Sequence, residues 1–367
     1  MIDMGRLATV HEVSPDAAWV DAGVRWLDLL QHTLPQNLTP PTLTDFLELS
    51  IGGTLSVGGL GSQTFRLGPQ VDNVLELQVV TGRGQLITCS RQQRPDLFYA
   101  VRAGLGQFGI IVRARLRLRA APPRLRWYQA LYAELGVFLA DLERLIDDGR
   151  FDTVQGFAVP DAAGGWHFQL ETTKYLVSDV EPEAAALFAD LAVLPATVSH
   201  QDTSYFEYVN RLAPLVAQLK ALGVWSFPHP WVNLFVPADH ATGFIGAALA
   251  QLSVTDVGQG PVAIYPYRRA PFRAPLLRVP AARHFFLFGL LRNAVPPTPE
   301  RTAELITANR QLFEQARALG GMRYPIDSVP MTPADWRDHF ASCWEVVTLA
   351  KHGYDPDRIL TPRQGLF

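Results

Sequence analysis

The sequence predicts an α+β protein divided into two domains, and three observations carry that reading. The chain has 367 residues, 48% hydrophobic and 18% charged, more material than a single hydrophobic core usually gathers. Pro122 and Pro123 end a charged, strand-like run, and a different texture begins after them. Beyond that point strand-period and helix-period segments alternate without any internal repeat.

In chain order, residues 8–13 and 18–20 are short and extended, and residues 26–34 have helical spacing, ended by the proline-rich "LPQNLTPPTLTD". The glycine content of residues 51–68 argues against a regular helix there. Strands follow at 74–81 and 85–89, joined by Gly82-Arg83-Gly84 as a hairpin. "GIIVRARLRLR", residues 109–119, alternates apolar residues with arginine, the period of a strand with one wet face. Past the boundary the pattern predicts a helix at 131–147, a strand pair at 154–159 and 166–172, and helices near 182–191 and 205–222. Strands at 231–237, 262–267 and 284–291 then alternate with helices at 241–252 and 299–319. A last helix, 333–352, leads into the extended tail "YDPDRILTPRQGLF".

Composition narrows the function. A net charge of −3, from 32 basic and 35 acidic residues, supplies no field for a polyanion, so nucleic acid is disfavoured as a partner. Cys89 and Cys343 match no metal spacing and read as free thiols of a reducing, cytoplasmic compartment. No apolar run is long enough to span a bilayer. "MIDMGRLATVHEV" lacks the basic and apolar blocks of a signal peptide. The nine histidines are scattered and show no metal or hydrolase signature, so no metal is expected. Oligomeric state is not legible.

Three constellations carry chemistry. In "TDFLELSIGGTLSVGGLGSQTFRLGPQ", residues 44–70, the glycines let backbone approach a flat or anionic ligand, or else serve tight turns. The spacing is neither a Rossmann nor a P-loop fingerprint. "AGLGQFGII", residues 103–111, repeats the theme before a strand, and the pair favours a large planar cofactor. Asp45 stands between proline-rich coil and an apolar stretch, either as a base candidate or as the N-cap of a short turn. "FPHPWVNLFVP", residues 227–237, reads as an aromatic wall with one polar donor, or as a core strand.

Taken together, residues 44–70 and 104–111, "HPWVNLF", "GPVAIYPYRR", "FFLFGLLR" and the tail resemble the cytokinin dehydrogenases, of the vanillyl-alcohol-oxidase type of FAD-linked oxidoreductase. The similarity runs in order over nearly the whole chain. It implies a two-domain α+β fold: an FAD domain from residues 1–121 and the returning segment 330–367, and an inserted substrate domain at 122–329. It implies FAD as cofactor and Asp45 as the base that takes the proton of the substrate's side-chain amine. Cofactor contacts would come from Ser50, Gly52, Gly53, Thr54, Ser56, Leu60, Ile110, Tyr324, Thr361 and Gln364. Gln155, Trp231 and Asn233 would line the pocket for an N6-substituted adenine.

Two departures qualify the resemblance. The family carries an upstream segment that wraps the FAD pyrophosphate and bears the flavin-linked histidine. Met1 to Leu7 resembles the strand after it, so the expectation is an N-terminally truncated FAD domain with no histidine assigned to the linkage. A fragment, a misplaced start and a natural short form are the alternatives. In "FDTVQGF", Gln155 stands where the family often has glutamate, which replaces a charge with an amide. Another amine, an alcohol or a sugar is then an alternative substrate, and a remnant with a structural or partner-binding role is the non-enzyme alternative.

Overall fold

The computed structural model describes residues 3–161, 164–176, 183–253, 256–257, 261–360 and 365–367. The chain forms two compact units: residues 1–121, 271–278 and 331–367 make the first, and residues 122–270 and 279–330 the second. Nothing in the sequence marked the return of 271–278 to the first unit.

The first unit is built on a five-stranded antiparallel sheet. Its strands are β1 (Val10–Val13), β2 (Ala17–Asp21), β4 (Val74–Val80), β5 (Leu86–Ser90) and β6 (Ile110–Arg117), in the order β1-β2-β6-β4-β5; β3 (Leu38–Thr39) and β7 (Arg119–Ala120) pair separately. The alternation of 109–119 does its work here: Ala114 and Leu116 are buried, while Arg113 turns outward to Asp21. The same unit holds α1 (Trp26–Thr33), α2 (Ile51–Leu55), α3 (Thr64–Leu67) and α4 (Pro95–Val101). Two of these correct the sequence reading, because 51–68 contains the short helices α2 and α3. Packing outweighs the glycine penalty: Ile51 and Leu55 are wholly buried, and the Trp26 indole donates to Thr54 Oγ1 at 2.9 Å.

The second unit carries an eight-stranded antiparallel sheet. Its members are β8 (Arg124–Tyr132), β9 (Thr153–Pro160), β10 (Trp166–Leu176), β11 (Ser199–Ser204), β12 (Val232–Pro237), β13 (Val262–Arg268), β14 (His284–Leu290) and β15 (Met322–Arg323). Their order is β11-β8-β10-β9-β13-β14-β12-β15. Strand β8 corrects the helix expected from residue 131, since Tyr128, Ala130 and Tyr132 pair with β10 and the helix α5 (Leu135–Asp148) starts only after them. The helix expected at 205–222 is two, α7 (Tyr205–Val209) and α8 (Ala213–Ala221), after α6 (Ala184–Phe188). Helix α5 and α9 (Ala238–Ala250) cover one sheet face: Phe138 stacks on Phe168, and Phe244 meets Phe288 edge-on. Helix α10 (Pro299–Ala318) follows.

The final helix expected at 333–352 breaks into α11 (Pro333–Phe340) and α12 (Trp344–Tyr354), with Ala341 at φ 42° between them. Both belong to the first unit. Among the described residues no helix is long and apolar enough to cross a membrane.

Candidate active site

In the first unit the two glycine segments are joined by backbone. The amides of Ala103 and Leu105 donate to the carbonyls of Leu55 and Ser56, both at 2.9 Å, so the turn 103–107 caps the C-terminal end of α2. Ala103 and Leu105 hold φ of 54° and 56°, a left-handed conformation that costs a non-glycine residue energy and persists only where surroundings impose it. In the same unit, residues 42–46 lie on the loop 59–70: Thr42 Oγ1 donates to the Gly68 carbonyl at 2.7 Å. A methyl group at Gly61 would overlap the Leu43 carbonyl oxygen, so glycine is what lets the coil bearing Asp45 come this close. Asp45 is half-buried on that coil, two residues after Leu43.

The candidate cofactor residues divide. Gly52 and Thr54 are committed to protein contacts: the Gly52 amide donates to Ala22, and the Thr54 hydroxyl is shared between Trp26 and the Ile51 carbonyl. Ser56 Oγ turns back onto the Gly52 carbonyl at 2.8 Å, and Leu60 is 8% exposed. Ser50 precedes α2 without capping it through its side chain, and a methyl group at the exposed Gly53 would meet only Ser50 Oγ. Ile110 opens β6, half-buried. Tyr324 belongs to the second unit, where its amide donates to the Asn233 carbonyl and its ring tilts against Phe235. Thr361 and Gln364 lie outside the described residues.

In the second unit the face of the sheet opposite α5 and α9 carries Gln155 and Asn233. Gln155 is fully buried and its Nε2 donates to Glu171 Oε2 at 3.0 Å. Glu171 Oε1 accepts from Gln129 and Gln169, at 2.9 and 2.8 Å. A carboxylate only accepts here, so the Gln155 amide is held in one orientation and its Oε1 is left without a partner. Asn233 Nδ2 is likewise buried and unpaired. The register runs Asn233, Gly289, Ala263, Phe157, so three strand spacings, about 14 Å, separate Asn233 from the strand of Gln155. The two therefore share a face without touching. Trp231 precedes them on the same alternation, half-buried, with its indole N–H unpaired and His229 edge-on to its ring.

Sequence reasoning passed over the groups that hold this segment. Asp327 Oδ2 accepts from the Asn233 amide, while its Oδ1 accepts from Arg323 Nε at 2.6 Å. Burial pushes the Asp327 carboxyl up to about 6, against the pull of Arg323. Asn309 donates to the carbonyls of Pro230 and Trp231 and accepts from Arg292, whose pKa burial lowers to about 10. Only long-range packing brings residues 292, 309 and 327 to the 230–233 segment, so no local pattern marks them.

Comparison with known proteins adds to this geometry. Residues 1–90 match a family model described as an FAD binding domain. A solved structure of 6-hydroxy-D-nicotine oxidase from Arthrobacter nicotinovorans shares the fold, with a TM-score of 0.67 at 20% identity over 98% of this chain and 80% of that one. The protein is an FAD-dependent oxidoreductase with the two-domain α+β fold of the FAD-linked oxidases. Residues 158–367 match the model described as "Cytokinin dehydrogenase 1, FAD and cytokinin binding". Cytokinin dehydrogenase 8 of Oryza sativa subsp. indica is 35% identical over 390 residues, covering 95% of this chain and 73% of its own. An uncharacterized oxidoreductase, ORF5 in the fasciation locus of Rhodococcoides fascians, is 42% identical over 362 residues, 99% of this chain and 82% of its own. The chain belongs to the cytokinin dehydrogenase family.

The residues present fit FAD. Gln63 Oε1 and Gln107 Nε2 are buried without partners, an acceptor beside Gly61 and a donor on the 103–107 turn, and Gly53 is exposed next to Ser50. A polar-rimmed aromatic ring system has use for both.

Proposed function

We propose that this enzyme oxidises the N6 side chain of cytokinins such as isopentenyladenine, yielding adenine and an aldehyde. FAD, when bound, supplies the acceptor for the two electrons leaving the side-chain carbon next to nitrogen. Residues 1–121 and 330–367 serve the cofactor, and 122–329 the substrate. Asp45 takes the amine proton, as a carboxylate near the reacting nitrogen can. Water then cleaves the resulting imine of the substrate. Gln155 presents an acceptor to a ring N–H, and Trp231 with Asn233 walls the flat ring.

The observation that supports this reading is the coil bearing Asp45, lying against the glycine loop through the close approach at Gly61, in a chain that matches cytokinin dehydrogenases over most of their length. One observation favours a second reading, a related flat amine: the neutral amide of Gln155 faces the sheet where a charge would select differently.

The test is anaerobic stopped-flow reduction of the flavin by isopentenyladenine. The visible flavin band of the wild type should bleach, and Asp45→Asn should slow that step by about 10²- to 10⁴-fold. An unchanged rate in the variant removes Asp45 from the role. Bleaching by another amine but not by isopentenyladenine selects the second reading.

A further inference from the structure

Lys351 on α12 is 2% exposed. Its Nζ pairs with Asp355 Oδ2 at 2.7 Å and donates to the carbonyls of Leu360 at 2.5 Å and Gln107 at 3.0 Å. It also reaches Gln107 Oε1 at 3.4 Å and lies 5.3 Å from the centroid of the Phe367 ring. Asp355 is wholly buried, and its two oxygens accept from the amides of Ile359 and Leu360, each at 2.9 Å. A methyl group at Gly82 would overlap the Asp355 carboxylate, so the β4–β5 hairpin turn also closes on this pair. One buried ammonium thus ties α12, the tail at 359–360 and the strained turn 103–107, all within the first unit.

A buried ion pair is by itself weak evidence of stabilisation. Two charges taken from water repay their desolvation only with good geometry, and apolar replacements of both are often neutral or stabilising. What the pair accomplishes locally is orientation. An ammonium only donates, so Gln107 must turn Oε1 toward Lys351, and its Nε2 is then directed away as a buried donor with no partner. Gln107 is 1% exposed, and an unpaired donor at that depth costs free energy in the protein alone. The same turn is bonded to the C-terminal end of α2 at Leu55 and Ser56, and α2 also carries the exposed Gly53.

We propose that Gln107 Nε2 is a hydrogen-bond donor to FAD, and that the Lys351–Asp355 pair is the positioning device that fixes its orientation and holds the tail beside it. This concerns cofactor binding alone and does not depend on which substrate the enzyme takes.

The experiment uses the full 367-residue chain titrated with FAD. Gln107→Leu keeps the volume and removes the unpaired donor. It should leave the melting temperature of the flavin-free chain unchanged or raised, while weakening FAD about tenfold, the loss of one buried hydrogen bond. A structural role alone would lower both or neither. The double variant Lys351→Met/Asp355→Leu should also weaken FAD by about tenfold or more and restore the visible spectrum of free flavin. Both variants binding FAD with the wild-type Kd overturns the proposal. Should either variant fail to fold, hydrogen exchange of the wild type decides: added FAD should slow exchange at Ile359 and Leu360 together with Ala103 and Leu105. Slowing at the turn without slowing at 359–360 removes the positioning role of the pair.

Discussion

Asp327 shows how one buried side chain writes a pH dependence. Its carboxyl is raised to about 6 by burial, so the folded chain holds the proton more tightly than the unfolded one. For a raised carboxyl the stabilisation is present at low pH and is lost as pH rises through the folded value. Urea midpoints of wild type and Asp327→Asn should therefore show the wild type losing ground to the variant between pH 4.5 and 7, by on the order of 1–3 kcal/mol. Ground gained over that interval contradicts the assignment. Glu171 acts differently, by geometry. Glu171→Gln gives the three glutamines a partner that both donates and accepts, so the Gln155 amide is free to turn. With isopentenyladenine as substrate, KM should rise about tenfold with kcat changed far less. Equal losses in both would mean that Glu171 only supports the sheet. Cys89, wholly buried with its thiol pushed up to about 12 by burial, should resist thiol reagents in the native state, while the partly exposed Cys343 reacts.

At the scale of elements, backbone hydrogen bonds join the turn 103–107 to α2, and the close approach at Gly61 seats the coil 42–46. Gly61→Ala must displace the Leu43 carbonyl, and with it the coil that carries Asp45. The expected result is a stability loss of about 1–3 kcal/mol and a kcat loss larger than the loss in FAD affinity. Chemical denaturation and flavin titration of the same preparation check both. The glycine segments were legible as unusual backbone, yet their use was not. Gly52, Gly61 and Gly82 make room for neighbouring protein, while a methyl group at Gly53 would meet only the Ser50 side chain. Local composition does not distinguish a glycine that admits a ligand from one that admits another strand. Strand β8 was missed for a related reason: in "RLRWYQALY" the alternation breaks at Trp127-Tyr128 and again at Ala130-Leu131-Tyr132, and the helix at 135–148 follows directly.

For the whole molecule, two units with separate cores predict unfolding that departs from a single transition. FAD should raise the midpoint of the transition that reports on the first unit, by mass action, and leave the other nearly unmoved. Calorimetry with and without FAD reads this directly. A single cooperative transition shifted as a whole would show that the two cores unfold together.

The sequence alone determined the class of the protein. Composition argued against polyanion partners, period and proline placement separated the α+β parts, and ordered motifs spread along the chain pointed to one family of flavin enzymes. Asp45, Gln155 and Asn233 became candidates because the resemblance rests on short, local motifs that contain them. The tertiary structure alone decided what holds them. Glu171 meets Gln155 across a strand pair, Asp327 reaches the Asn233 amide, and Lys351 reaches Gln107 across 244 residues. Such contacts arise from sheet register and from burial, which are properties of the closed fold, and a buried polar group reveals its partner only when the chain has folded around it.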